Sequence, residues 1–191
     1  MYRFLCNIIG AFMRLIFRIE VKGLENIPEK SGAIICANHI SNWDPVLLQI
    51  LIKRHIYFMS KEELFHVFFI GWIMKKIGAI PVKRAGSDLT AIKHAFKTVN
   101  GGEILGIFPT GQREKVKGEG EVKSGVGLIA GKTKAPIIPI HIGANFKLFS
   151  KVSVHIGRCE VFAPPEGEKI NAEMADAFSK EIYQRIKDLA K

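Results

Sequence analysis

The stretch GAIICANHISNWDPVLLQILIK, residues 32–53, contains the pattern that decides the fold class. Its first part, GAIICAN, is a continuous apolar run, which is typical of a β-strand buried on both faces. A polar turn follows, and Pro45 then opens an apolar helix, because proline fits the first helical turn. A buried strand that leads through a short turn into a helix is the basic unit of a layered α/β fold.

The rest of the chain repeats this alternation of strands and helices. Apolar residues at helical spacing predict a helix after Ser87 or Asp88 and another from Asn171, and a short helix is predicted near residues 125–132. The chain has 191 residues without an internal repeat or a linker, which suits one domain. We therefore predict a single-domain α/β fold with a layered, mainly parallel sheet flanked by helices. Besides the strand in the opening stretch, strands are predicted at residues 18–23, 55–60, 79–82, 103–108, 136–142 and 151–157.

His39 and Asp44 stand five residues apart in the turn of the opening stretch. In a parallel sheet this turn lies at the carboxyl end of a strand, where ligands bind. A carboxylate bonded to one ring nitrogen of a histidine fixes its tautomer and leaves the other nitrogen as a base. Alternatively, Asp44 only caps the helix that Pro45 opens, and His39 is an ordinary loop residue. The spacing alone leaves both interpretations open.

The net charge of the chain favours an anionic partner. Lys and Arg number 28 against 18 Asp and Glu, which gives a formal charge of +10. Such a surplus suits lipid head groups, phosphorylated substrates, an acidic carrier protein or nucleic acid. The basic residues are dispersed and no nucleic-acid-binding motif is present, so we expect no nucleic-acid partner.

The cysteines and histidines do not group into a metal site in the sequence. Cys6, Cys36 and Cys159 form no C-x-x-C pair and are expected to be buried thiols. We therefore expect neither a metal nor a cofactor. Apart from His39, the histidines are scattered along the chain: His55, His66, His94, His141 and His155.

The amino-terminal residues 1–19 are predicted to form an amphipathic helix. Arg14 and Arg18 interrupt the apolar run, which disfavours a helix that spans a membrane. In a helix, the few polar side chains share one narrow stripe, and apolar side chains fill the remainder. Such a helix either packs in a core or lies in a membrane interface with its arginines reaching the phosphates. We favour the interface, because the segment is aromatic-rich and carries only basic charges.

Four ordered blocks of the sequence resemble those of the glycerolipid acyltransferases, in particular the bacterial 1-acyl-glycerol-3-phosphate acyltransferases. NHISNWDP, residues 38–45, resembles the family's N-H-x4-D motif. KEELFHVFFIGWIMKKIGAIPVKR, residues 61–84, resembles the second block, and GIFPTGQRE, residues 106–114, the third. APIIPIHI, residues 135–142, resembles the proline-containing fourth block. The resemblance covers roughly residues 20–160 and implies that residues 20–191 form the catalytic domain.

The resemblance implies a function and a set of site residues. The family transfers a fatty acyl group from a carrier thioester to the free hydroxyl of a lysophospholipid, here 1-acyl-glycerol 3-phosphate, giving phosphatidate. His39 would be the general base and Asp44 its orienting partner. Acyl carrier protein or coenzyme A would bring the acyl group as co-substrate, and the enzyme would work at the cytoplasmic face of the cell membrane, on an anionic surface. The implied substrate-binding residues, with the arginines on the acceptor's phosphate, are Asn38, Arg84, Thr110, Gly111 and Arg113.

The third block departs from the family's usual F-P-E-G-T-R. Here it reads FPTGQR, so that Thr110 replaces the glutamate and Gln112 the threonine. We expect Thr110 to line the pocket as a neutral hydrogen-bonding group. The departure leaves open an acyltransferase with another acceptor, such as glycerol 3-phosphate or another lysolipid. A catalytically inactive lipid-binding homologue is a further alternative, although the intact first motif disfavours it.

Overall fold

A computed structural model of the chain describes residues 2–83, 88–114, 120–164 and 168–190. Its centre is a sheet of seven strands in the order β1-β7-β6-β2-β5-β3-β4. Neighbouring strands are parallel, except that β6 and β7 are antiparallel. The single mainly parallel sheet confirms the predicted α/β class. The strands are β1 (Arg18–Lys22), β2 (Ala33–Ala37), β3 (Ile56–Lys61), β4 (Ile80–Val82), β5 (Ile104–Ile107), β6 (Ile137–Ala144) and β7 (Lys151–Ile156).

Helices cover both faces of the sheet. Short 3₁₀ segments occupy Leu24–Asn26 and Glu62–His66. Asp88 and Asn171 begin two of the helices by accepting hydrogen bonds from backbone N–H groups of the first turn. The α-helices are α1 (Tyr2–Ile16), α2 (Asp44–Leu51), α3 (Phe68–Lys76), α4 (Leu89–Asn100), α5 (Gly125–Thr133) and α6 (Ala172–Asp188).

Strand β2 is buried on both of its faces, as its apolar run predicts. Ile35 belongs to the core layer that contains Leu47 of α2 and Met13 of α1. Ile34 and Cys36 point the other way, into the layer built by α4, α5 and α6. Because successive side chains of a strand alternate between faces, one five-residue strand supports two cores.

The directions of the strands bring distant segments to one edge of the sheet. Strands β2, β3, β5 and β6 run parallel, so their carboxyl ends meet at the same edge. Strand β7 is antiparallel to β6 and begins at that edge, as does β1, which is parallel to β7. This edge therefore carries the turn after β2, the loop after β5, the turn between β6 and β7, and the end of α1. It is named the active-site edge because the candidate residues His39 and Asp44 lie in the turn after β2.

The boundary of the amino-terminal helix differs from the sequence prediction of residues 1–19. Helix α1 ends at Ile16, and Arg18 opens β1 and pairs with Lys151 of β7. Arg18 consequently does not extend the polar stripe of the helix. A strand replaces the last turn of the predicted helix, because Arg18 N–H donates to the carbonyl of Ser150, just before β7, at 3.1 Å.

Candidate active site

The side chains of His39 and Asp44 are hydrogen-bonded to each other at the active-site edge. His39 Nδ1 lies 2.8 Å from Asp44 Oδ2, and the side chains are 16% and 0% exposed, respectively. His39 follows β2 by two residues, and Asp44 is the first residue of α2. The turn between them folds the carboxylate back onto the imidazole, so the Nδ1–H tautomer is favoured and Nε2 is left as an acceptor.

Two backbone amides hold the Asp44 carboxylate in place. The N–H groups of Ile40 and Ser41 donate to the same Oδ2 atom, each at 2.7 Å. The helix starts with Asp44 itself and with Trp43 in the cap position, without a side-chain cap bond. Of the two interpretations left open for Asp44, helix capping is the one that the structure does not support, because the carboxylate points backward to the turn and the histidine.

Asn38 braces the end of β2 against β6. Its amide Nδ2–H donates to the carbonyl of Ile142 at 2.9 Å, and its Oδ1 accepts from the N–H of Ile142 at 2.7 Å. Asn38 is buried beside His39. The structure thus gives this side chain a role in fixing the backbone that carries the imidazole, and its expected contact with substrate stays a prediction.

The ring of Phe108 stacks on the imidazole of His39. The two ring centroids lie 4.1 Å apart with an interplanar angle of 18°. Phe108 is also near-parallel to Phe58 of β3, with centroids 5.6 Å apart. Gly106 of β5 makes room for this arrangement, because a Cβ atom there would lie 2.4 Å from Phe58 Cδ1. Phe108 was not among the residues predicted from the sequence, because its contact with His39 depends on the pairing of β5 with β2.

The loop after β5 is attached to the histidine backbone. The N–H of Glu114 donates to the carbonyl of His39 at 2.7 Å. At the other end of the loop, the N–H of Lys123 donates to the carbonyl of Pro109 at 3.0 Å. The third sequence block therefore lies beside the first, as expected of neighbouring parallel strands.

Thr110 and Gly111 shape this loop from within. Thr110 is 2% exposed, and its hydroxyl donates to the carbonyl of Gln112 at 2.7 Å. Gly111 has φ +64°, which favours glycine, and its N–H closes a turn onto the carbonyl of Phe108 at 2.9 Å. Contacts of either residue with an acceptor stay predictions.

The structure describes one of the two arginines that are expected to bind phosphate. Arg113 is exposed on the loop after β5, one residue before the bond from Glu114 to His39. Arg84 lies outside the described residues. Lys83 and Asp88, the described residues on either side of that segment, are hydrogen-bonded to each other. The N–H of Lys83 donates to Asp88 Oδ2 at 2.9 Å.

The Glu114 carboxylate faces α6. Burial, and then the nearby Glu114 carboxylate, raise the pKa of the Tyr183 hydroxyl.

Two other kinds of feature are absent from the part of the chain that the structure describes. Among the described residues, no group of three or more His, Cys, Asp or Glu side chains is placed to hold a metal ion. None of the described helices has the length and apolarity needed to cross a bilayer.

Comparisons with known proteins identify the family of the chain. A family model described as Acyltransferase matches residues 18–143. The 1-acyl-sn-glycerol-3-phosphate acyltransferase of Bacillus subtilis is 32% identical over 195 residues, which cover 99% of this chain and 96% of that protein. The enzyme of the same name from Pseudomonas aeruginosa is 32% identical and matches 88% of this chain and 70% of its own length.

Other relatives are longer or more distant. The chloroplastic 1-acyl-sn-glycerol-3-phosphate acyltransferase LPAT1 of Arabidopsis thaliana is 29% identical, and the match covers 86% of this chain but 48% of that protein. The crystal structure of the 1-acyl-sn-glycerophosphate (LPA) acyltransferase PlsC from Thermotoga maritima superposes with a TM-score of 0.73 at 24% identity. That match covers 98% of this chain and 79% of the other, and at this identity it speaks for the fold alone.

Proposed function

Because the chain belongs to the acyltransferase family, we propose that it transfers a fatty acyl group from a thioester to 1-acyl-sn-glycerol 3-phosphate, giving phosphatidate. The observation that carries this proposal is the 2.8 Å bond between His39 Nδ1 and Asp44 Oδ2 at the active-site edge. The names of the Bacillus and Pseudomonas relatives support the choice of acceptor.

The pair supplies a base for the acceptor's hydroxyl. His39 Nε2 takes the hydroxyl proton while the oxygen attacks the thioester carbonyl, and Asp44 stabilises the imidazolium that forms. Collapse of the tetrahedral intermediate forms the new oxygen ester, breaks the carbon–sulfur bond and releases a thiolate. The imidazolium returns its proton to this thiolate. The thioester is already activated, so the scheme needs no covalent acyl-enzyme.

Cations hold the acceptor's phosphate in this scheme. Guanidinium groups suit phosphate because their donors bind two oxygens at once. Arg84 and Arg113 are the residues that we assign to this role. The formal charge of +10 also suits a donor carried by acidic acyl carrier protein or by coenzyme A.

We assign the enzyme to the anionic cytoplasmic face of the cell membrane. One side of α1 packs on the domain through Met13 and Cys6, which are buried. Arg14 is exposed. An apolar face beside a basic side chain suits the boundary between acyl chains and phosphates. The large apolar side chains that α1 exposes are Phe4, Ile8, Phe12 and Leu15.

The test incubates purified protein with a panel of acceptors and with both donors, followed by mass spectrometry of the products. We expect phosphatidate from 1-acyl-sn-glycerol 3-phosphate. His39→Ala should lower kcat by about 10²- to 10⁴-fold, the usual contribution of a general base. His94→Ala is the matched control, because His94 is exposed on α4. Equal activity of the His39→Ala variant and native protein would contradict the mechanism.

The acceptor panel also tests the alternatives that the Thr110 departure leaves open. Glycerol 3-phosphate and lysolipids with other head groups are included for this reason. Preferred acylation of one of them would replace the proposed acceptor and keep the acyltransferase. Lipid binding without any transfer would favour the inactive homologue.

A further inference from the structure

The turn between β6 and β7, residues 145–150, exposes two large apolar side chains. Leu148 and Phe149 are each 66% exposed. Phe149 has φ +59° and Phe146 has φ +48°, a left-handed conformation that bulky residues seldom adopt. Glycine or asparagine would reverse the chain with less strain, so the side chains at these positions require an explanation beyond the turn itself.

The same turn is anchored on its inner side to the end of α1. The N–H of Phe149 donates to the carbonyl of Ile16 at 2.8 Å. The ring of Phe146 meets the ring of Phe17 edge to face, with centroids 5.7 Å apart. The turn, which exposes Leu148 and Phe149, is therefore joined to the end of α1, the helix that exposes Phe12 and Leu15.

This surface lies at the active-site edge of the sheet and has a basic surround. Ile142 of β6 holds Asn38, next to His39, and the turn begins three residues further along. Arg14, Arg18 and Lys147 are exposed around it. Lys151 is exposed as well, but its charge is offset by an ion pair with Glu20 at 2.8 Å.

We propose that the turn 145–150 enters the same lipid surface as α1, with Leu148 and Phe149 among the lipid chains and the basic side chains at anionic head groups. Exposed apolar side chains surrounded by basic ones suit an anionic lipid surface better than they suit water or an acidic protein. The choice of lipid as the partner rests on the proposed function, since that reaction consumes and produces lipids. The turn would then dock the active-site edge against the source of its acceptor.

The first experiment measures binding to sedimenting vesicles of phosphatidylglycerol and phosphatidylcholine. The double variant Leu148→Ser/Phe149→Ser should bind at least about tenfold more weakly than native protein, because two large apolar side chains no longer leave water. Val161→Ser is the matched control: Val161 is 58% exposed, and the neighbouring Glu160 pairs with the first residue of β6, at the opposite edge. The control should change binding less than about twofold.

Two results would overturn the proposal. One is vesicle binding by the double variant that equals that of native protein. The other is a native dimer in solution, without vesicles, that the double variant converts to a monomer, because the turn would then contact a second copy of the chain. Analytical ultracentrifugation of both proteins decides the second point.

A tryptophan reporter covers the case in which the double variant fails to fold. Phe149→Trp is placed in a background with Trp43→Phe and Trp72→Phe, and Val161→Trp serves as its control. On vesicles, emission of the tryptophan at 149 should shift to the blue and be quenched by brominated acyl chains, whereas that at 161 should not. An unchanged spectrum at 149 would contradict the insertion of the turn.

The assay of acyl transfer separates this proposal from the proposed function. In detergent micelles the double variant should keep native activity, since neither residue belongs to the catalytic pair. If native protein transfers no acyl group but the turn still contributes to vesicle binding, the reaction is refuted and the lipid contact stands.

Discussion

Replacement of Phe108 by leucine should slow the chemical step without weakening acceptor binding. The Phe108 ring lies 4.1 Å from the imidazole of His39, centroid to centroid, at an interplanar angle of 18°. As the imidazole takes a proton, the face of the ring stabilises the positive charge that develops on it. This interaction is stronger in the transition state than in the ground state, so its loss should appear in kcat.

The expected magnitude follows from the kind of contact. Aromatic stacking contributes about 0.5 to 1.5 kcal/mol, and a cation on an aromatic face contributes about 0.5 to 2 kcal/mol. Phe108→Leu should therefore lower kcat by about 2- to 30-fold, since about 1.4 kcal/mol is a factor of ten. That loss is smaller than the loss expected for His39→Ala, because the base itself remains.

The assay is steady-state acyl transfer with the acceptor concentration varied and the folded fraction checked by circular dichroism. Phe108→Tyr keeps the ring and should keep most of the activity. Phe162→Leu is the matched control, because Phe162 stacks on Phe178 at 4.4 Å in the opposite core layer. A folded Phe108→Leu variant with native kcat, or one altered only in KM, would refute the reasoning.

Four further changes test other parts of the site and the fold. Asp44→Asn should lower kcat by about 10²- to 10⁴-fold in the transfer assay with little change in circular dichroism, because the neutral amide no longer fixes the imidazole tautomer or balances its charge. Thr110→Val removes the hydroxyl that closes its loop and should raise KM for the acceptor several-fold; unchanged acceptor kinetics would argue against a role of this loop in placing the acceptor. Hydrogen bonds from Lys83 and from the first turn of α4 lower the pKa of Asp88, so its contribution to stability is present above the ordinary aspartate pKa and is lost as the pH falls through the lowered one. Thermal melts should accordingly show Asp88→Ala less stable than native protein at neutral pH, with the difference shrinking in strong acid. Burial raises the pKa of the Cys36 thiol, so the thiol stays protonated and does not act as a nucleophile. Cys36 packs in the core layer built by α4, α5 and α6, so Cys36→Ala should lower the melting temperature but keep native kcat per folded molecule.

Local patterns in the sequence predicted most of the elements. The apolar run of β2 and the alternation in β7 indicated which faces are buried, and burial in the structure follows both patterns. The position of β7 between β1 and β6 was not predictable in the same way. A strand's own residues specify its buried faces, whereas its partners are chosen by segments more than a hundred residues away, such as Arg18 beside Lys151.

The same difference between local and distant information applies to the candidate site. His39 and Asp44 could be predicted as a pair because one short turn holds both of them. The direction of the Asp44 carboxylate could not, because an aspartate before proline is equally suited to capping a helix. The contact of Phe108 with His39 depends on the pairing of β2 with β5, and no local pattern contains that information.

One antiparallel pairing explains why the proposed lipid contacts and the proposed catalytic pair share an edge. If β7 ran parallel to β6, a crossover would carry the chain back, and β7 would begin at the opposite edge. Because β7 is instead antiparallel, the turn at 145–150 stays beside the carboxyl ends of the strands. Strand β1 is parallel to β7, so the end of α1 comes to that edge as well. The acceptor and the product, both lipids under the proposed reaction, could then exchange with the bilayer at the place where His39 lies, without passing through water.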